Sequence, residues 1–74
     1  MIMVHGLGGF ATSCRWDTVI EGGRECIRIS RLDGCGSWMW SRQALSDLVP
    51  GEKLGLPGGG WLEGVAEAIG EKRR

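Results

Sequence analysis

Residues 50–71 read PGEKLGLPGGGWLEGVAEAIGE, and the fold turns on how this stretch is interpreted. Pro50-Gly51 is a turn signal, since proline presets φ and glycine accepts the left-handed region. A short apolar segment, Leu54-Gly55-Leu56, comes next. Pro57-Gly58-Gly59-Gly60 then makes a glycine-rich corner. From Trp61 the spacing turns helical: Trp61, Leu62, Val65, Ala68 and Ile69 fall in a sector of about 120° at about 100° per residue. Glu63, Glu67 and Glu71 lie roughly opposite, and Lys72, Arg73 and Arg74 stand where cations favour a helix C-terminus. A helix this short is marginal alone in water. Its apolar stripe needs a surface to cover, and the residues upstream predict a small sheet that provides one.

That sheet is written in alternation and turn chemistry. Residues 10–20 form the first expected strand: Cys14, Trp16, Thr18 and Ile20 alternate with Arg15, Asp17 and Val19. Glu21-Gly22-Gly23-Arg24 is a hairpin turn, because paired glycines tolerate the positive φ it needs. Residues 25–32 are the second strand, with Ile27 and Ile29 on one face and Arg24, Cys26, Arg28 and Ser30 on the other. Asp33-Gly34 marks another turn. Residues 37–41 give a third strand, with Trp38 and Trp40 on one face and Met39 on the other. Residues 42–49 read either as one or two helical turns capped by Ser41, which is the preferred reading, or as a continued strand and loop. Residues 53–56 are a fourth strand or an extended link. Residues 1–9 read as a flexible leader, with Ile2 to Val4 able to add a short edge strand. The expected architecture is therefore α+β: an antiparallel three- to four-stranded sheet with a C-terminal helix packed on one face, all in one domain spanning residues 10–74.

At 74 residues the chain is near the small end of what folds alone, and such chains often lean on a disulfide, a metal or a partner subunit. Nine basic residues balance nine acidic ones, which argues against a large nonspecific nucleic-acid or membrane binder. The balance is uneven along the chain. Residues 1–42 hold five arginines against four acids, and residues 43–71 hold one lysine against five acids. Cys14, Cys26 and Cys35 are odd in number and lack the close-spaced pairs of a zinc site, so free thiols are expected, with one disulfide as the competitor. Residues 1–14 lack the positive region of a signal peptide, and glycines interrupt their apolar run. A cytoplasmic location is the expectation.

Enzyme chemistry finds little support. His5 is the single histidine and lies in the expected flexible leader, so no Ser/His/Asp or Cys/His set is expected. The glutamates of the expected helix read as a solvated face. Gly58-Gly59-Gly60 lacks the Gly-Lys-Ser/Thr ending of a phosphate-binding loop. No enzyme activity, cofactor or metal is expected. The arginines are the stronger lead: Arg24 and Arg28 share a strand face, and a sheet face of arginines with interleaved aromatics can track phosphates and stack bases. The competing reading is a solvent face balanced by Asp17, Glu21, Glu25 and Asp33. Trp61 is expected in the core. Trp38 and Trp40 are both core or both a stacking platform, and Trp16 is undecided.

Residues 24–69 resemble the positive cofactor four family of transcriptional coactivators, which bind single-stranded DNA. The resemblance is carried by Arg24-Glu25-Cys26-Ile27-Arg28-Ile29, Leu32-Asp33-Gly34, Trp38-Met39-Trp40-Ser41-Arg42, Pro50-Gly51-Glu52-Lys53, Leu56-Pro57 and residues 61–69. It implies a curved four-stranded sheet plus helix, a homodimer, a strand-end arginine at Arg42 and a phosphate-contacting lysine at Lys53. The sequence departs from the family at Leu32, where a base-stacking aromatic is common, and after Arg42, where no aromatic follows. The expected function is transcription-related binding of single-stranded nucleic acid with little sequence preference. Arg24, Arg28, Arg42 and Lys53 would contact phosphates, and Trp38 or Trp40 would stack bases. The alternative is a small protein–protein interaction module, such as an adaptor or a phage-type inhibitor of a host complex, with no nucleic-acid role.

Overall fold

Glycine chemistry sets the central hairpin. Gly22 and Gly23 take φ of 58° and 77°, the positive pair of a two-residue turn, and Glu21 pairs with Arg24 across it. The computed structural model describes residues 1–6 and 11–72. The last three residues of the expected leader, Phe10, Arg73 and Arg74 lie outside the described residues, as do the side chains of Glu71 and Lys72. The elements are β1 (Ile2–His5), β2 (Thr12–Glu21), β3 (Arg24–Arg31), β4 (Ser37–Ser41), α1 (Arg42–Leu45), β5 (Leu54–Gly55), β6 (Trp61–Glu63) and α2 (Val65–Lys72). The β2–β3–β4 meander stands where alternation and turn signals predict it. α1 is the short helix preferred for residues 42–49, with the Ser41 hydroxyl accepting from the Ala44 N–H at 3.1 Å.

The expected three- to four-stranded sheet with a C-terminal helix on one face is not the fold. The strands form one six-stranded antiparallel sheet in the order β4-β3-β2-β1-β6-β5, curled into a half-barrel. Two local facts make the difference. Residues 2–5 are a strand inside the sheet rather than a leader: β1 pairs with β2 on one side and with β6 on the other. Residues 61–63 are also a strand rather than the first turn of a helix, because β6 fills the space between β1 and β5. Gly64 separates strand from helix. Its φ of 88° favours glycine, and a side chain there would run into the Met1 carbonyl. Its own carbonyl accepts from the Ala68 N–H at 3.0 Å, so the helix begins only at Val65.

The core lies within the curl. Ile2 and Val4 from β1, Ile27 and Ile29 from β3, Leu62 from β6, and Leu45, Leu56, Val65 and Ile69 from the helices and links close it together with Cys14. Ile27, Ile29, Leu62 and Val65 are fully buried. α2 contributes its Val65–Ile69 stripe to this core, and Glu67 accepts from the Gly51 N–H at 2.5 Å, holding the Pro50-Gly51 turn to the helix. Among the described residues, no helix is long and apolar enough to cross a membrane.

Candidate functional site

Register assigns every strand residue to the core face or to the outer face of the curl. On β3, Ile27 and Ile29 face the core, so Arg24 and Arg28 share the outer face, as their spacing requires. Arg28 is held by Asp17 directly across on β2, with Nη2 to Oδ2 at 2.9 Å. Arg24 is exposed and has no ion pair among the described residues, and the same holds for Arg15. Arg42 stands past the end of β4 and meets Glu25 at 2.9 Å. Arg31 meets Asp33 at 2.6 Å. Two of the three arginines expected on phosphates are therefore engaged by carboxylates. These are partly exposed pairs, each worth about 0–1 kcal/mol, so a polyanion could compete for them only by displacing a neighbour already in place.

Trp38 and Trp40 lie opposite Ile29 and Ile27, so both rings sit on the core face. They pack against the core while remaining partly exposed at the sheet edge, and Trp16 packs there as well. Neither ring shares a face with Arg24 or Arg28. The structure thus does not bring the six expected contact residues together. Arg24 and Arg28 are on the outer face, Trp38 and Trp40 are on the core face, Arg42 is at a strand end, and Lys53 lies at the far side of the sheet.

Lys53 belongs to a cluster that helical spacing hid. Trp61, expected in the core, is on the outer face because Leu62 takes the core position of β6. Its ring stacks on His5 of the neighbouring strand, with centroids 4.1 Å apart and planes 14° from parallel. The Lys53 ammonium lies 4.2 Å from the Trp61 centroid. His5 Nε2 is 3.4 Å from Glu63 Oε1 without hydrogen-bond geometry. Gly55 stands opposite Trp61 on β5. A cation over an indole is worth about 0.5–1 kcal/mol at an exposed site. The only sequence signal for this cluster would have been alternation of Trp61 with Leu62, and three residues cannot display it.

The loop from β3 to β4 holds a carboxylate in a local hydrogen-bond network. The Cys35 amide donates to Asp33 Oδ1 at 2.9 Å and, with the Arg31 guanidinium, holds the Asp33 carboxyl below its ordinary value. Burial pushes the Cys14 thiol up, while Cys35 is exposed. All three cysteines are free thiols. Among the described residues no group of three or more His, Cys, Asp and Glu side chains gathers in a way that could hold a metal ion.

The remaining distinctive surface is the free edge of β4. Arg31 N–H donates to the Gly36 carbonyl at 2.9 Å, continuing the β3–β4 register. Bonded pairs in an antiparallel ladder recur at every second residue, so Trp38 and Trp40 direct their amide groups to β3. The N–H groups of Ser37, Met39 and Ser41 and the carbonyls of Ser37 and Met39 point the other way, where no strand follows among the described residues. The Ser41 carbonyl belongs to α1, which Ser41 caps. Protein edges are usually blunted by charge, proline or a bulge. The Ser-Trp-Met-Trp-Ser edge has no charged residue and no proline, and its pairing to β3 runs without a break. Comparison of the chain with protein-family models, with curated proteins and with solved structures finds no match.

Proposed function

We propose that this chain is a small protein-interaction module that takes up an extended segment along the free edge of β4. The unblocked Ser37–Ser41 edge, with its outward amide groups at Ser37 and Met39, is the observation that carries this reading. Strand addition supplies main-chain hydrogen bonds, and the partly exposed Trp38 and Trp40 beside the edge supply apolar contact. The charge pattern supports it. Arg28, Arg42 and Arg31 already have carboxylate partners, and net charge is zero. Three free thiols suit a reducing compartment such as the cytoplasm.

Single-stranded nucleic-acid binding is the second reading. Arg15 and Arg24, which have no ion pair among the described residues, favour it, since they share the outer face with the Lys53–Trp61–His5 stack. One experiment separates the two. A fluorescent single-stranded oligonucleotide is titrated at low and high salt, and a random extended-peptide library is selected against the wild type and against Met39→Pro. The interaction reading expects no oligonucleotide binding at low salt, together with peptides that bind wild type and not the variant. Oligonucleotide binding that weakens steeply with salt, undiminished in Met39→Pro, replaces it with the nucleic-acid reading.

A further inference from the structure

The exposed edge is a palindrome. Ser37-Trp38-Met39-Trp40-Ser41 reads the same in both directions, and it coincides with the whole of β4. An antiparallel strand pair related by a two-fold axis brings each residue opposite its mirror position, so such a strand is complementary to a second copy of itself. We infer that the segment this edge accepts is β4 of another copy of this chain, joining two half-barrels into one continuous sheet. This rests on the edge-binding reading above and names its partner.

The register follows from the free backbone groups. With the two-fold axis at Met39, each Met39 N–H donates to the other Met39 carbonyl, and each Ser41 N–H donates to the opposing Ser37 carbonyl. The Ser41 carbonyls stay with α1. Trp38 then stands opposite Trp40 of the second copy in a pair without mutual hydrogen bonds, the geometry in which side chains approach most closely. The indoles face the core side, where they are partly exposed, so each copy covers tryptophan surface of the other. Among the described residues no unpaired charge flanks this edge. Arg28, the β3 neighbour of Met39, is neutralised by Asp17, and Arg42 beyond the strand end is neutralised by Glu25. α1 turns inward, with Leu45 5% exposed, and leaves the edge open. Five residues at about 3.4 Å each give an edge of about 17 Å. An edge this short makes a small contact, at the low end of specific interfaces, so the dimer is expected to be weak and concentration-dependent.

Residue 39 makes the test specific, because the axis places it against itself. Met39 is on the outer face and 46% exposed, so changing it leaves the core intact. Sedimentation equilibrium across a concentration series should show wild type passing from monomer to dimer. Met39→Lys and Met39→Glu should each raise the dissociation constant at least tenfold, since like charges meet across the axis. An equimolar mixture of the two should associate again as a heterodimer. Met39→Pro removes an N–H that β3 does not use, so it should keep near-ultraviolet circular dichroism and remain a monomer. A wild type that stays monomeric to millimolar concentration, or a dimer indifferent to all three substitutions, overturns self-pairing. A monomer that still selects peptides lost in Met39→Pro overturns self-pairing alone and leaves the edge reading standing. Absence of both removes the two together.

Discussion

Gly64 carries the junction on which the topology depends. Its φ of 88° costs any other residue strain, and a Cβ there would meet the Met1 carbonyl at the start of the strand that β6 must pair with. Gly22 offers a control at the same scale: its φ is also positive, at 58°, but nothing stands within 4 Å of an added Cβ. Gly22→Ala should cost the conformational part alone, about 1 kcal/mol. Gly64→Ala should cost clearly more, about 2–3 kcal/mol, because β1 must also shift. Urea unfolding midpoints of the two variants, compared at equal slope, check the difference.

At the scale of elements, the segment Trp61-Leu62-Glu63 shows why part of this fold was legible and part was not. The β2–β3–β4 meander could be read because its strands run long enough, or are bounded sharply enough, to display a period of two. Its turns carry glycine where positive φ is needed, at Gly22, Gly23 and Gly34. The Arg24 and Arg28 face followed from that period. β1, β5 and β6 have four, two and three residues, and spacing cannot distinguish such pieces from the end of a helix. Trp61 and Leu62 both fit the apolar stripe that Val65, Ala68 and Ile69 begin, so the helix reading absorbed them, and the outer stack with His5 and Lys53 went unseen. Strand and helix make opposite predictions here. On a helix both side chains face the core and both truncations are severe. On β6 they part: Leu62 is fully buried and Trp61 lies outside. Leu62→Ala should cost about 2–5 kcal/mol. Trp61→Ala should cost roughly 1 kcal/mol less than that, with Lys53→Met losing about 0.5–1 kcal/mol through the same ring. Thermal or urea denaturation of the three variants decides it, and equal losses for Leu62 and Trp61 would speak against β6.

For the whole molecule, the decisive element is the one that sequence placed outside the domain. β1 is the seam of the sheet, with β2, β3 and β4 on one side and β6 and β5 on the other. Among the described residues the two sides are joined through no other strand pairing, so the half-barrel should close only if residues 2–5 are present. Ile2 and Val4 are 1% and 2% exposed, and burial of each contributes roughly 1.5–3 kcal/mol. A chain of this length has a total stability of roughly 4–11 kcal/mol, at about 0.05–0.15 kcal/mol per residue. Loss of the pair alone, about 3–6 kcal/mol together, removes a large share of it, before counting the unpaired edges of β2 and β6. A chain starting at residue 7 should therefore lose cooperative unfolding and near-ultraviolet circular dichroism altogether, whereas removal of a true leader would leave both unchanged. A synthetic peptide of residues 1–6 added in excess should restore part of the signal for the truncated chain. The Ile2→Asp, Val4→Asp peptide should not, since it presents the same backbone with charge directed into the core.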